Sequence, residues 1–309
     1  MSAHLTESAR GVFVIAATPF TADGVLDLPS VDRLVDFYLA RRVHGLTLLG
    51  LMGEAPTLAA EESLALVRRT LARVAGRVPV VVGVSNAELR PLAALADAAM
   101  AAGAAGVMVA PATGLRGDDA LFEYMASVFK VLDGATPVVY QDYPQSTGVP
   151  LSVACLSRMV DAFPRLVMLK HEACPGLAKL TALRAEAARS GRRRLSVLVG
   201  NNALYYPQEL ARGADGAMTG FSYPEMLVDV YERFTAGDAD AAEDVFDAYL
   251  PVLRYEAQPG VGLAVRKEIL FRRGALASPT ARTPGATLTA DDRRELDGLL
   301  ARLGRRLKG

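Results

Sequence analysis

Tryptophan is absent from this 309-residue chain, cysteine occurs twice and histidine three times. Two cysteines, Cys155 and Cys174, are too few for a disulfide framework and fit a reducing compartment, so a cytoplasmic location is expected. His4, His44 and His171 form no metal-ligand cluster and no carboxylate grouping has metal spacing, so neither a metal nor another cofactor is expected. No run of about 18 uninterrupted apolar residues is present, which excludes a membrane-spanning helix. The opening MSAHLTESARG lacks the basic and apolar regions of a secretory signal. Acidic and basic residues number 34 each, and a net charge of zero gives no reason to expect nucleic acid or a membrane surface as partner. What is present is a half-apolar chain long enough for one large α/β domain, or for a domain plus an appendage.

Lysine is scarce as well: only five of the basic residues are Lys. Lys130, Lys179, Lys267 and Lys308 lie in helix-like stretches, where an ammonium can reach water. Lys170 instead closes the apolar run Leu166 to Lys170 (LVMLK). Burial disfavours the charged form of an amine, and a desolvated lysine is a nucleophile for carbonyl carbon. An ion pair with a carboxylate such as Glu172 is the competing account of the same position.

Short runs rich in β-branched residues begin near Val12, Gly45, Val78, Gly106, Pro137, Leu166, Leu195 and Gly216. Helical patterns separate them at Ser30–Arg42, Leu58–Ala75, Leu89–Ala102, Asp118–Leu132, Leu151–Ala162, Leu177–Ser190 and Asn202–Arg212. Apolar strands alternating with amphipathic helices predict a parallel sheet covered by helices, and eight such strands predict an α/β fold of the (β/α)8 TIM barrel type. An open doubly wound sheet is the alternative, but no GxGxxG follows the first run. From Pro224 to Arg273 and from Thr289 to Leu307 the pattern is helical. The expected organisation is therefore a barrel over 1–223 and a C-terminal helical extension over 224–309. In a barrel, Lys170 falls at the C-terminal end of the sixth strand, the face that holds active sites in this architecture.

Several segments carry a family likeness. The opening VIAATPFTADGVLDLPSVDRLVDF, the loop GLMGEAPTL, VPVVVGV, the Pro144 to Gly148 turn, the lysine of the sixth strand and GADGAMTG occur in the order found in the dihydrodipicolinate synthase and N-acetylneuraminate lyase family. The chain resembles that family from about Gly11 to Pro224. The resemblance implies a barrel assembled as a homotetramer or dimer, in which Lys170 forms a Schiff base with a 2-oxo acid such as pyruvate.

Departures from the family pattern are equally specific. The two hydroxyl residues of the strand-two loop are Leu51 and Met52 here, followed by Gly53, whose loop amides can still cradle a carboxylate. The proton-relay tyrosine aligns with Gln141, and the arginine that meets a second substrate carboxylate aligns with Ser146. The tyrosine exchanged between subunits falls at Thr113, and the acidic pair of sialic acid lyases falls at Asn202 and Ala203. Residues two apart on a strand share a face, so Gln141 and Tyr143 are expected to look toward Lys170, and Tyr140 and Asp142 toward the helices. Tyr143, hydrogen-bonded to a hydroxyl such as Thr147, is the expected proton shuttle, with Glu172, Tyr140 or water as alternatives. Glu172 shares the Lys170 side; His171 does not. Gly200, Asn201, Asn202 and Thr219 are candidate contacts at the mouth, and Glu54 is expected to hold its loop by accepting backbone N–H groups. The expected activity is that of a Schiff-base lyase, an aldolase or hydro-lyase, acting on a 2-oxo acid less polar in its remainder than a sugar or amino acid. A barrel that binds a small oxo acid or carboxylate without turning it over is the second expectation.

Overall fold

The computed structural model describes residues 4–308, and in it eight parallel strands close into a barrel in chain order. They are β1 (Gly11–Ile15), β2 (Gly45–Leu48), β3 (Val80–Gly83), β4 (Gly106–Val109), β5 (Val138–Asp142), β6 (Leu166–His171), β7 (Ser196–Val199) and β8 (Gly216–Thr219), with β8 pairing back onto β1. Around them run α1 (Leu28–Leu39), α2 (Ala60–Val74), α3 (Leu89–Ala101), α4 (Gly117–Val131), the single turn α5 (Pro144–Thr147), α6 (Val153–Ala162), α7 (Leu177–Ser190) and α8 (Tyr206–Ala211). The expected barrel is therefore present, with strand starts within two residues of the apolar runs. One expected helix, Asn202–Arg212, is instead a 3-10 turn at Asn201–Ala203 followed by α8, because Asn202 takes a left-handed conformation that breaks the helix.

Strand residues alternate between two apolar layers. Phe13, Ile15, Val81, Met108, Val139, Met168, Leu198 and Met218 fill the lumen. Their neighbours, such as Val12, Val14, Leu46, Leu48, Val80 and Val82, pack against the helices. Gly45 opens β2 where a Cβ would come within 2.4 Å of the Phe13 ring, so the lumen is filled by the aromatic at the expense of a side chain opposite. Between β5 and β6 the register shifts: Val138 pairs with Leu166 but Val139 pairs with Met168. This one-residue irregularity leaves Val167 as the extra residue, and from there Gln141 lies opposite Lys170.

Beyond β8 the chain is helical, but the pattern from Pro224 to Arg273 divides into α9 (Pro224–Thr235), α10 (Ala239–Glu256) and α11 (Gly262–Arg272), with turns at Gly237 and Gly260. α9 packs on β1 and α10 on α9, and the final helix α12 (Ala290–Arg306) lies along α10. The Ser278–Thr289 stretch is an irregular connector, as its turn residues imply. No helix among the described residues is long and apolar enough to cross a membrane.

Candidate active site

The inward face of β6 ends on Lys170, which is 1% exposed. Its Nζ lies 3.0 Å from Oε2 of Glu172, and the same oxygen accepts a hydrogen bond of 2.7 Å from Nε2 of Gln141. Glu172 stands just past the strand, yet it keeps strand parity because its backbone is held on three sides. Its N–H donates to Asp142 O, its carbonyl accepts from Nδ2 of Asn201, and Gly200 N–H bonds the carbonyl of His171 next to it. Gly200 also makes the room: a Cβ there would sit 2.1 Å from Cγ of Glu172. Amine, carboxylate and amide thus form one network out of water at the mouth of the barrel.

The opposite face of the same strands carries a separate polar group. Asp142 receives Nζ of Lys179 at 2.6 Å and stands 3.5 Å from Nδ1 of His171, whose Nε2 meets the carbonyl of Gly176 at 3.1 Å. Tyr140 is buried among the helices with its hydroxyl unpartnered, and burial pushes its phenol pKa far up. The alternation read from sequence therefore holds: Gln141, Lys170 and Glu172 face the lumen side, and Tyr140, Asp142 and His171 do not.

After β2 the chain turns through Leu51–Gly53, a 3-10 turn whose leading amides have no partner within the turn. Leu51 is exposed, Met52 packs down on the lumen cluster, and Gly53 is buried, its carbonyl accepting Oγ1 of Thr18 at 2.5 Å. Glu54 follows in a left-handed conformation. Its expected role of accepting its own loop's N–H groups is corrected: one oxygen accepts the N–H of Arg282 at 2.8 Å, and the other forms an ion pair with Lys267. Lys267 is fully buried on α11, so its expected access to water is also corrected; its Nζ donates to Thr280 O and lies over the Phe20 ring. Burial pulls the Lys267 pKa down, and the Glu54 charge opposes that shift. Arg282 completes the clamp with two hydrogen bonds to Glu62, of 2.6 and 2.7 Å, and one to Thr57 O. The helical extension thus grips the strand-two loop, a link between segments more than 200 residues apart that no local pattern announces.

A cavity of about 600 Å³ opens between this loop, α2, α3 and α5, and Gln141 and Tyr143 belong to its wall. Tyr143 is half-buried; burial raises its phenol pKa and the Glu172 charge adds to the rise. Its expected bond from the phenol to Thr147 is not formed, because the Thr147 hydroxyl donates 3.1 Å to the Tyr143 carbonyl instead. Two candidate contacts take other positions. Thr219 shares the parity of Ala217, which packs toward the helices, whereas Met218 points inward, so Thr219 is not on the lumen face. Asn202 is tied to the extension, accepting Nη2 of Arg266 at 3.0 Å. Gly200 serves Glu172 as space, a function the sequence position at the end of β7 does not reveal.

Residues 8–303 match the dihydrodipicolinate synthetase family. The chain belongs to that family. It is 33% identical to an L-2-keto-3-deoxyarabonate dehydratase of Azospirillum brasilense over 98% of this chain and 97% of the relative. It is 35% identical to a 4-hydroxy-tetrahydrodipicolinate synthase of Sorangium cellulosum over 75% and 76% of the two chains. Among solved structures, a dihydrodipicolinate synthase of Rhodopseudomonas palustris superimposes with a TM-score of 0.95 at 46% identity, covering 97% of this chain and all of that one. A prophage protein of the same family from E. coli K12, solved in complex with pyruvate, superimposes with a TM-score of 0.86 at 27% identity over 96% and 98%. The protein is a lyase of the dihydrodipicolinate synthetase-like family.

Proposed function

We propose that this family member cleaves or dehydrates a 2-oxo acid through a Schiff base on Lys170, with Glu172 moving the protons. The observation that carries the reading is the buried network in which Lys170 Nζ stands 3.0 Å from a carboxylate oxygen that Gln141 also holds. Glu172 takes a proton from the Lys170 ammonium, and the free amine adds to the C2 carbonyl. The proton then returns to the carbinolamine hydroxyl, which leaves as water and gives the iminium. That cation is an electron sink two bonds from C4. Glu172, again a carboxylate, removes a C3 proton to form the enamine and returns it to the C4 hydroxyl, which is expelled as water. In the cleavage direction it instead takes the C4 hydroxyl proton as the C3–C4 bond breaks, releasing an aldehyde and leaving the three-carbon enamine of pyruvate on Lys170. One well-placed acid–base group contributes about 10²–10⁴-fold to such steps.

The remaining residues fit around this core. The amides of Leu51 and Met52, which lead the turn before Gly53, form the nest for the substrate carboxylate. Gln141 fixes Glu172, and Tyr143 stands in the cavity wall where it can touch the departing group. A homo-oligomer, tetramer or dimer, working in the cytoplasm completes the proposal, and light scattering at working concentration reports its mass. The chemistry is tested by incubating the protein with pyruvate or a panel of 2-oxo acids and borohydride, then measuring intact mass and mapping the adduct. An adduct on Lys170 that Lys170→Ala abolishes is expected. No adduct across the panel, or one that survives the substitution, overturns the Schiff-base reading.

A further inference from the structure

The cavity that shares Gln141 with the Lys170 network has a composition that bears on what it accepts. It is about 600 Å³, within the range of small-molecule sites, and not one Lys, Arg, His, Asp or Glu lines it. Its polar groups are uncharged: Gln141, Tyr143, Ser146 and Thr147 stand at the β5–α5 end, and Ser63, Ser85 and Asn86 are set singly along the α2–α3 side. Around those three, toward α2 and α3, most of the wall is carbon, including Leu58, Leu64, Pro91 and Leu95. Leu51, nearly half exposed at 47%, stands on the same wall with no apolar cover of its own. A carboxylate or ammonium entering this space gives up water and meets no counter-charge.

We infer that the substrate's remainder beyond C4 is an uncharged apolar group of about the bulk of an aromatic ring, seated against the α2–α3 wall. This rests on the reading of the same site as an oxo-acid lyase and supplies its substrate class. The uncharged polar groups at the β5–α5 end then face the C4 oxygen, and the carbon wall takes the ring. Apolar area removed from water supplies the selectivity, so binding shows a negative heat-capacity change.

Calorimetric titration with 4-phenyl-2-oxobutanoate and with 2-oxoglutarate separates the two kinds of tail on a common oxo-acid head. The phenyl compound is expected to bind at least about 30-fold more tightly. Ala94→Arg, at an exposed position of α3 on the cavity wall, is expected to cut that preference at least about fivefold by placing a cation in the apolar wall; circular dichroism checks that the variant is folded. Equal or tighter binding of 2-oxoglutarate, or a preference unmoved in folded Ala94→Arg, overturns the inference. Borohydride trapping with pyruvate, which has no tail, reads the lysine chemistry separately. Tail preference without an adduct removes the Schiff base and leaves the apolar site, and an adduct without tail preference does the reverse.

Discussion

Between Lys170 and Glu172 the same 3.0 Å contact serves an inert ion pair and a proton relay alike, and the surroundings distinguish them. An ion pair placed for stability alone gains little from burial, because desolvation offsets the attraction. Here the pair sits where β5 and β6 end, with Gln141 donating to the shared oxygen and Gly200 cleared to admit the carboxyl. Glu172→Gln keeps the volume and loses the proton carrier. It is expected to lower kcat by about 10²–10⁴-fold, and Tyr143→Phe by less than about tenfold, in steady-state assays with the best oxo acid. The reverse order returns the relay to Tyr143. Gly200→Ala is expected to resemble Glu172→Gln, since its Cβ claims the space of the Glu172 side chain. At this scale the sequence shows a good deal: strand alternation separates Lys170 and Glu172 from His171, and Gln141 from Tyr140 and Asp142. It does not show Gly200 as the partner of Glu172, because two residues brought together by strands β6 and β7 share no local signature.

The element that decides the geometry of the strand-two loop is the Ser278–Thr289 connector together with α11. Arg282 and Lys267 hold Glu54, Thr57 and Glu62, and so fix the turn Leu51–Gly53, which borders the cavity through Leu51. The Arg282 guanidinium holds the Glu62 pKa down to about 2, below its ordinary 4.5. A folded-state pKa below the unfolded one stabilises at pH values above the unfolded value, and that contribution is lost as pH falls from about 4.5 through about 2. Glu62 is partly exposed, and the contact is screened accordingly. Arg282→Ala is therefore expected to lower stability by about 1 kcal/mol at pH 7 in urea denaturation, with the difference from the parent shrinking below pH 4. Because the loop is released while Lys170 is untouched, KM for the oxo acid is expected to rise more than kcat falls. An unchanged KM separates the clamp from substrate binding. The helical tail was legible as helix and connector, yet a helical pattern does not tell that Lys267 is buried, since Glu54 lies in a turn more than 200 residues earlier.

For the whole molecule, eight apolar runs at barrel spacing are enough to give the architecture, because each must be buried on both faces and the helices between them cover the sheet. The shift at Val138 and Val139, which brings Gln141 opposite Lys170, is a property of pairing and stays hidden until the strands are placed side by side. Likeness over nearly the whole chain reaches a dehydratase as well as synthases, so the fold and the family leave the substrate to the cavity. There Ser146 stands on the wall where the resemblance places an arginine in synthases, and no other lining residue carries a positive charge. A charge-assisted bidentate contact to a carboxylate is worth roughly 1.5–3 kcal/mol, or one to two decades in kcat/KM. With pyruvate and aspartate semialdehyde the protein is therefore expected to be a poor 4-hydroxy-tetrahydrodipicolinate synthase and to leave a lysine-requiring strain unrescued. Ser146→Arg is expected to raise kcat/KM for that pair of substrates at least about tenfold while weakening the preference for apolar tails. Efficient rescue by the unmodified protein would mean that a carboxylate is met elsewhere on the wall, and the apolar assignment of the cavity would fall with it.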